Sequence, residues 1–374
     1  MYTKMPAFYL VPVIVSGVTF AQYFQGVPFL PGEATNGVQS LSGVGHVVVG
    51  YGVSEAIRWP VGSQVQSLGL PSGYTGSNAA CVSYDGGAIA GNVGNATINS
   101  AYRWTQSSGL IPIQDFPYAI GMSSDGSTIV GTDMVTASTL AVRWTAAGGV
   151  QNFGALAGVP IPGGNNNIRI ANAATADGSK IFGFAEVQMT IEMNPEYRYT
   201  PFVWDAVNGA RVLRDFTGSV FSGNITDTNA SGDILCGLRL PPFGEPNVAR
   251  LFRWTAASGY QVFDFVGSTN GVRPQMTADG STIVSGANYW SQSGGMRLLT
   301  SVLSDAGCNF TGWTLQGAVD ISADGRTIVG NGLNPLGQQQ GWVATIPAPG
   351  AVGVGVITLG ALCIRRRVSC TQPA

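Results

Sequence analysis

The chain has 374 residues, 53 of them glycine, and only 10% are charged, against about a quarter in an average soluble protein. Its net charge is −2, and with Lys4, Arg365, Arg366 and Arg367 set aside, 14 basic residues face 20 acids. No basic stripe is available for nucleic acid or an anionic membrane surface, and so uncharged a surface must be wetted by Ser, Thr, Asn, Gln and backbone.

Lys4 supplies a positive start, Ala7 to Phe20 an apolar run, and Thr19-Phe20-Ala21 the small residues of a cleavage site. This order predicts a signal peptide over 1–21, cut after Ala21, and an exported protein. Residues 22–346 are then long enough for one large β-domain or two smaller ones.

Self-similarity decides between them. The clearest unit is Ser123-Ser124-Asp125-Gly126-Ser127-Thr128-Ile129-Val130-Gly131, followed by Ala141-Val142-Arg143-Trp144-Thr145 and Gly149-Val150-Gln151-Asn152-Phe153. The turn recurs seven times, with glycine at Gly45, Gly86, Gly126, Gly178, Gly232, Gly280 and Gly325. The residue before it is Asp85, Asp125, Asp177, Asp279 or Asp324 in five copies, Ser231 in one and Val44 in the first. A small polar residue and Asp that bond their own backbone, ahead of a glycine free to take positive φ, predict a tight hairpin. The β-branched run that follows predicts a strand.

A tryptophan closes each copy, at Trp59, Trp104, Trp144, Trp204, Trp254, Trp290 and Trp342. One bulky aromatic per unit points to packing between units rather than to a ligand site. Arg58, Arg103, Arg143 and Arg253 precede four of them, and since neighbours on a strand face opposite ways, pairing with a turn Asp is the expected role. One Asp per turn supplies too few oxygens for calcium.

The spacing of about 40 to 54 residues suits a four-stranded propeller blade. In the second unit the strands are expected at Asn78 to Tyr84, Ala88 to Asn92, Ala101 to Thr105 and Gly109 to Ile113. The last unit has three strands, and Phe24 to Leu30 stands alone before the first turn. The expected fold is therefore all-β, a seven-bladed propeller over 22–346 whose N-terminal strand completes the last blade and removes an open edge.

Little in this frame suggests chemistry. His46 is the sole histidine, which excludes a His-based triad or a multi-histidine metal site, and no phosphate- or dinucleotide-binding motif occurs. No catalytic residue, metal or cofactor is assigned. Cys81 and Cys236 lie in strand-like runs and, with Cys308, are expected as buried free thiols, although export would permit one disulfide. Glu186, Glu192 and Glu196 cluster in the longest gap between a turn and its tryptophan, beside Tyr197 and Tyr199. Two carboxylates at suitable separation suffice for glycoside hydrolysis, so this gap is the alternative, enzymatic candidate, and a solvated loop is the plainer reading.

After Ile346 comes Pro347-Ala348-Pro349-Gly350, then an uncharged apolar run to Ile364, then Arg365-Arg366-Arg367. From Ala348 to Ile364 the run is just long enough to cross a bilayer, and the arginines would hold their end in the cytoplasm. Residues 347–374 are thus expected to be a membrane or sorting segment outside the fold.

This tail resembles the PEP-CTERM sorting signal, in which a Pro-Glu-Pro motif, a hydrophobic helix and an Arg cluster are read by an exosortase. Ala348 replaces the central Glu, and Val368 to Ala374 extend past the arginines. The resemblance implies an exosortase-like partner, removal of the tail, and transfer to the cell surface or outside; the alternative is permanent anchoring. The repeat units resemble the HAF-type extracellular repeats, whose signature is a Ser-x-Asp-Gly turn, a Val-Val-Gly strand, an Arg-Trp strand and a Gly-Leu-x-x-Leu-Gly strand. That resemblance covers nearly all of 22–346, most closely around Asp125, Asp279 and Asp324. It implies a propeller-like envelope protein without established catalytic residues, with exopolysaccharide or envelope proteins as possible partners.

Overall fold

The computed structural model describes residues 23–133, 140–153, 156, 167–191, 194–214, 222–240, 248–267 and 273–346. The leader 1–21 and the tail 347–374, with Pro347, Ala348, Pro349, Gly350, Arg365, Arg366 and Arg367, lie outside the described residues. So does Glu192. No helix of the described residues is long and apolar enough to cross a membrane.

After β1 (Tyr23–Gly26), blade 1 is β2 (Gly37–Leu41), β3 (Val47–Tyr51), β4 (Ala56–Pro60) and β5 (Gln66–Ser67). Blade 2 is β6 (Gly76–Val82), β7 (Ala88–Gly94), β8 (Asn99–Thr105) and β9 (Gly109–Pro112). Blade 3 is β10 (Tyr118–Met122), β11 (Thr128–Thr132), β12 (Ala141–Thr145) and β13 (Gly149–Asn152). Blade 4 is β14 (Asn167–Ala174), β15 (Lys180–Ile191), β16 (Asn194–Asp205) and β17 (Gly209–Val212). Blade 5 is β18 (Gly223–Thr228), β19 (Ile234–Arg239), β20 (Arg250–Thr255) and β21 (Gly259–Phe263). Blade 6 is β22 (Gln275–Met276), β23 (Thr282–Ser285), β24 (Asn288–Ser291) and β25 (Gly295–Leu298). A short helix, α1 (Leu299–Asp305), leads to β26 (Thr314–Ile321), β27 (Thr327–Leu333) and β28 (Gln339–Thr345). The helix has no counterpart in the repeat.

The seventh sheet has the order β1-β28-β27-β26, so the N-terminal strand closes the ring. Its register runs from Tyr23 opposite Thr345 to Gly26 opposite Trp342. The strand is shorter than the expected 24–30: Val27 still donates to Gly341 O at 2.8 Å, but Pro28 has no N–H with which to continue.

Seven apolar clusters fill the seven blade junctions, and each holds one repeat tryptophan. Trp59 (2% exposed) and Trp342 (0%) are fully enclosed, so each removes a large apolar area, roughly 150–250 Å², from water. Backbone bonds link the turns around the ring as well. The N–H of Val44 donates to Tyr84 O, Tyr84 to Ser124 O, Asp125 to Ala176 O, Ala176 to Ala230 O, Ala278 to Ala323 O and Ala323 to Gly43 O, at 2.8 to 3.1 Å.

Two glycine columns make this packing possible. The turn glycine has φ of 70° at Gly126 and 67° at Gly178, which favours glycine, and a Cβ on Gly178 would fall 2.2 Å from Thr128 Oγ1 of the preceding blade. Five residues on, a Cβ on Gly131 would fall 1.9 Å from the carbonyl oxygen of Tyr118. Gly50, Gly91, Gly183, Gly237 and Gly330 meet the same obstacle at 2.0 to 2.1 Å. In these six blades the innermost strand carries a β-bulge beside that glycine. Blade 6 has Ser285 in the column, and its inner pair, β22 with β23, shows a two-residue ladder without a register shift.

Candidate functional site

The turns are built as their residue types require. Ser123 Oγ donates to Asp125 Oδ1 at 2.5 Å and accepts the Thr128 N–H at 2.9 Å, while Gly126 N–H bonds Ser123 O. The carboxylates are exposed. The Ser179 N–H, the Ser179 hydroxyl and Thr175 bring Asp177 down to about 2, and Ser83 with the Gly87 N–H lowers Asp85. Asp279 and Asp324 take the same bond, from Thr277 Oγ1 and Ser322 Oγ. In the fifth turn, where Ser231 fills the Asp slot, Asp233 supplies the carboxylate from the other side of Gly232 and accepts from Asn229 and Ser231. The first turn has none, and Ser42 Oγ alone accepts the N–H groups of His46 and Val47. His46 is exposed beside it.

One position per blade, five residues before the turn glycine and next to the bulge in all blades but the sixth, lies at the ring axis. Ser40, Cys81, Gly121, Ala173, Asp227, Gln275 and Asp320 all line a central cavity of about 210 Å³. Asp320 Oδ2 accepts from Leu41 N at 2.8 Å and Ser40 Oγ at 3.0 Å in the next blade. Asp227 Oδ2 likewise accepts from Met276 N at 2.9 Å. From blade 6, Arg273 Nη2 reaches across the axis to the carbonyls of Ile120 (3.4 Å) and Asn172 (3.3 Å), the bulged residues of blades 3 and 4. Its Nε has no partner.

Protein surrounds these three charged groups, although the cavity keeps each half-buried rather than sealed. Burial raises Asp227 to about 7 against the pull of the Met276 N–H, with Asp320 adding repulsion. Burial also raises Asp320 to about 6, opposed by the N–H groups of Leu41 and Ile321. Burial lowers Arg273, while both aspartates favour its charged form. The arrangement braces the ring: two carboxylates each join adjacent blades, and one guanidinium joins opposite ones. Sequence reasoning missed all three residues; aligning the units five positions upstream of the turn would have exposed the Asp227 and Asp320 column.

The expected Arg to Asp pair takes a different form. Arg103 Nε donates to Gly126 O at 3.4 Å and Arg253 Nε to Gly280 O at 2.9 Å, so each bonds the carbonyl of the next blade's turn. Arg58 lies 5.6 Å from the ring centre of Trp104, and Arg143 4.1 Å from that of Trp204. The turn carboxylates already hold N–H and hydroxyl donors of their own turn, which leaves the carbonyl and the indole as the better partners.

Cys81, Cys236 and Cys308 are free and buried; burial pushes Cys81 up to about 12, which leaves the thiol protonated and inert. Of the acidic gap, Glu186 pairs with Tyr199 and Glu196 with Met189 in the β15–β16 ladder. The two positions stand three ladder steps apart, about 10 Å. No grouping of three or more metal-ligating side chains occurs among the described residues.

The fold and its axis define a closed seven-bladed β-propeller whose axial charges brace the ring. No family model and no curated protein matches the chain. Among solved structures, the β-propeller domain of the trilobed protease from Pyrococcus furiosus is similar, with a TM-score of 0.52 and 10% identity over 83% of this chain and 95% of that one. TolB from Acinetobacter baumannii matches with a TM-score of 0.42 and 13% identity over 84% of this chain. The chain spans 64% of the length of that TolB. Hydrazine synthase from Kuenenia stuttgartiensis gives 0.47 and 13% over 84% of this chain and 96% of that one. At these identities the likeness is one of fold alone.

Proposed function

We propose that this protein is exported and sorted by its tail to the cell surface or extracellular matrix, where the propeller has a non-catalytic binding or structural role. The observation that carries the reading is the closure of the ring by β1 within the span between the expected leader and the expected tail. Cleavage after Ala21 leaves one residue before β1 starts at Tyr23. At the other end Ile346, 5% exposed and bonded through its N–H to Arg326 O, directly precedes Pro347, where the expected tail begins. All seven four-stranded blades are complete within 23–346, because β1 fills the place of the fourth strand beside β28. Tyr23 faces Thr345, so the chain positions next to the expected leader and the expected tail sit side by side in blade 7. The tail, in its resemblance to an exosortase substrate, supplies the processing partner.

A binding role without chemistry is supported by the use made of the charged groups, which hold turns and blades together. A screen of glycans and envelope proteins on the purified 22–346 protein tests this. Specific retention of either class without turnover is expected, and binding to neither would refute it. Hydrolysis of a retained glycan that disappears when Glu186, Glu192 and Glu196 are replaced together by Gln would establish the enzymatic alternative instead.

A further inference from the structure

Each arginine that precedes a repeat tryptophan projects toward the next blade, where it can cover the next tryptophan. Arg58 does so for Trp104 and Arg143 for Trp204. Arg253 turns to Gly280 O instead, but Trp290 is still shielded, 6% exposed and 4.9 Å from the Phe263 ring centre. The junction of blades 2 and 3 differs. Arg103 is drawn to Gly126 O, and among the described residues no ring or guanidinium lies over Trp144, which is only half-buried.

Two grooves, of about 390 and 630 Å³, meet at this uncovered indole and share Arg103 with it. The larger is flanked by Asp125 and Asp177 on one side of the charge balance and by Arg103 and Arg143 on the other. A polyanion would meet two ionised carboxylates and a polycation two guanidinium groups. Hydroxyls both donate and accept, so a ligand rich in them and free of charge matches a fringe of mixed sign, while its apolar C–H face suits an aromatic floor.

We propose that this depression across blades 2 to 4 binds an uncharged polysaccharide, with Trp144 as the stacking platform and Arg103 as a hydrogen-bond donor beside it. The proposal rests on the binding role above and names its ligand class and surface. Affinity electrophoresis of the full chain through gels containing a neutral β-glucan, polygalacturonate or chitosan tests it, with thermal unfolding recorded for every variant. The neutral glucan alone should retard the protein. Trp144→Ala should lower the apparent affinity about tenfold or more, and Arg103→Gln, which leaves the indole in place, by a smaller factor. If Trp144→Ala fails to fold, Arg103→Gln decides.

Unchanged retardation of a folded variant, or preference for either charged polymer, would overturn the proposal. Binding of an envelope protein with no glycan bound would overturn it and leave the binding role standing. Binding of neither class would overturn both.

Discussion

Replacing Gly131 by alanine puts the packing account at risk in a way that can be worked out from distances. The new Cβ would sit 1.9 Å from Tyr118 O and 3.0 Å from a ring carbon of Phe116, so the inner strand must retreat by more than 1 Å. That retreat strains the bulge whose Ile120 carbonyl accepts from Arg273. Overpacking costs about 1–3 kcal/mol and the weakened buried hydrogen bond about 1 kcal/mol, giving roughly 2–4 kcal/mol. Ser285 fills the same column in blade 6, where no bulge crowds it, and its buried Oγ has no partner. Ser285→Ala should therefore be neutral or mildly stabilising, within about 1 kcal/mol. Urea unfolding of the 22–346 protein reads both, and calorimetry should show Gly131→Ala melting several degrees lower. Equal effects of the two substitutions, or a Gly131→Ala variant as stable as the parent, would refute the link between this glycine and the bulge.

Other outcomes follow from the closure and the axis. Phe24 lies 5.3 Å from Trp313, 5.5 Å from Trp342 and 5.8 Å from Phe310, so Phe24→Ala should cost about 2–4 kcal/mol and raise hydrogen exchange in β28 before other blades. Asp227 and Asp320 titrate higher in the folded chain than their ordinary 3.8, to about 7 and about 6. The folded state thus binds more protons between these limits; their stabilising effect is complete below pH 4 and lost as pH rises through 6 to 7. Asp177 and Asp205, both about 2, act oppositely: their contribution is present above pH 4 and lost as pH falls toward 2. Urea midpoints should peak near pH 4–5, and Asp227→Asn should flatten the decline above it. Arg273→Met should lower the midpoint at pH 8 more than at pH 5, because it removes the cation that offsets two axial carboxylates.

How far the sequence carried depended on whether a feature repeats. The turn glycines and the tryptophans recur in every unit, so the blade count and the closing strand could be read before any coordinate. The bulge has no residue of its own: it shows only as a missing side chain at Gly131 and its counterparts, which looks like an ordinary strand glycine until the opposing carbonyl is placed. Asp227 and Asp320 are acids in two of seven units, too few to stand out in a motif. Arg273 lies outside the repeat, and what it bonds comes from blades some 100 and 150 residues away in sequence. The arginines beside the tryptophans were placed on the correct face, but their direct contacts go to the next turn's carbonyl or the next indole, while a turn Asp acts on Arg253 only through its charge. In blade 4 the backbone of Glu186 and Glu196 belongs to one extended β15–β16 ladder, which adjacency in sequence alone does not reveal.

The most direct test of the whole account is the intact mass of the protein recovered from its native cells. A chain that starts at Gln22 and ends close after Ile346, still folded as a closed ring, is the predicted species. A product that retains Met1 or runs through to Ala374 would contradict the corresponding processing step and, with it, the proposed route to the cell surface.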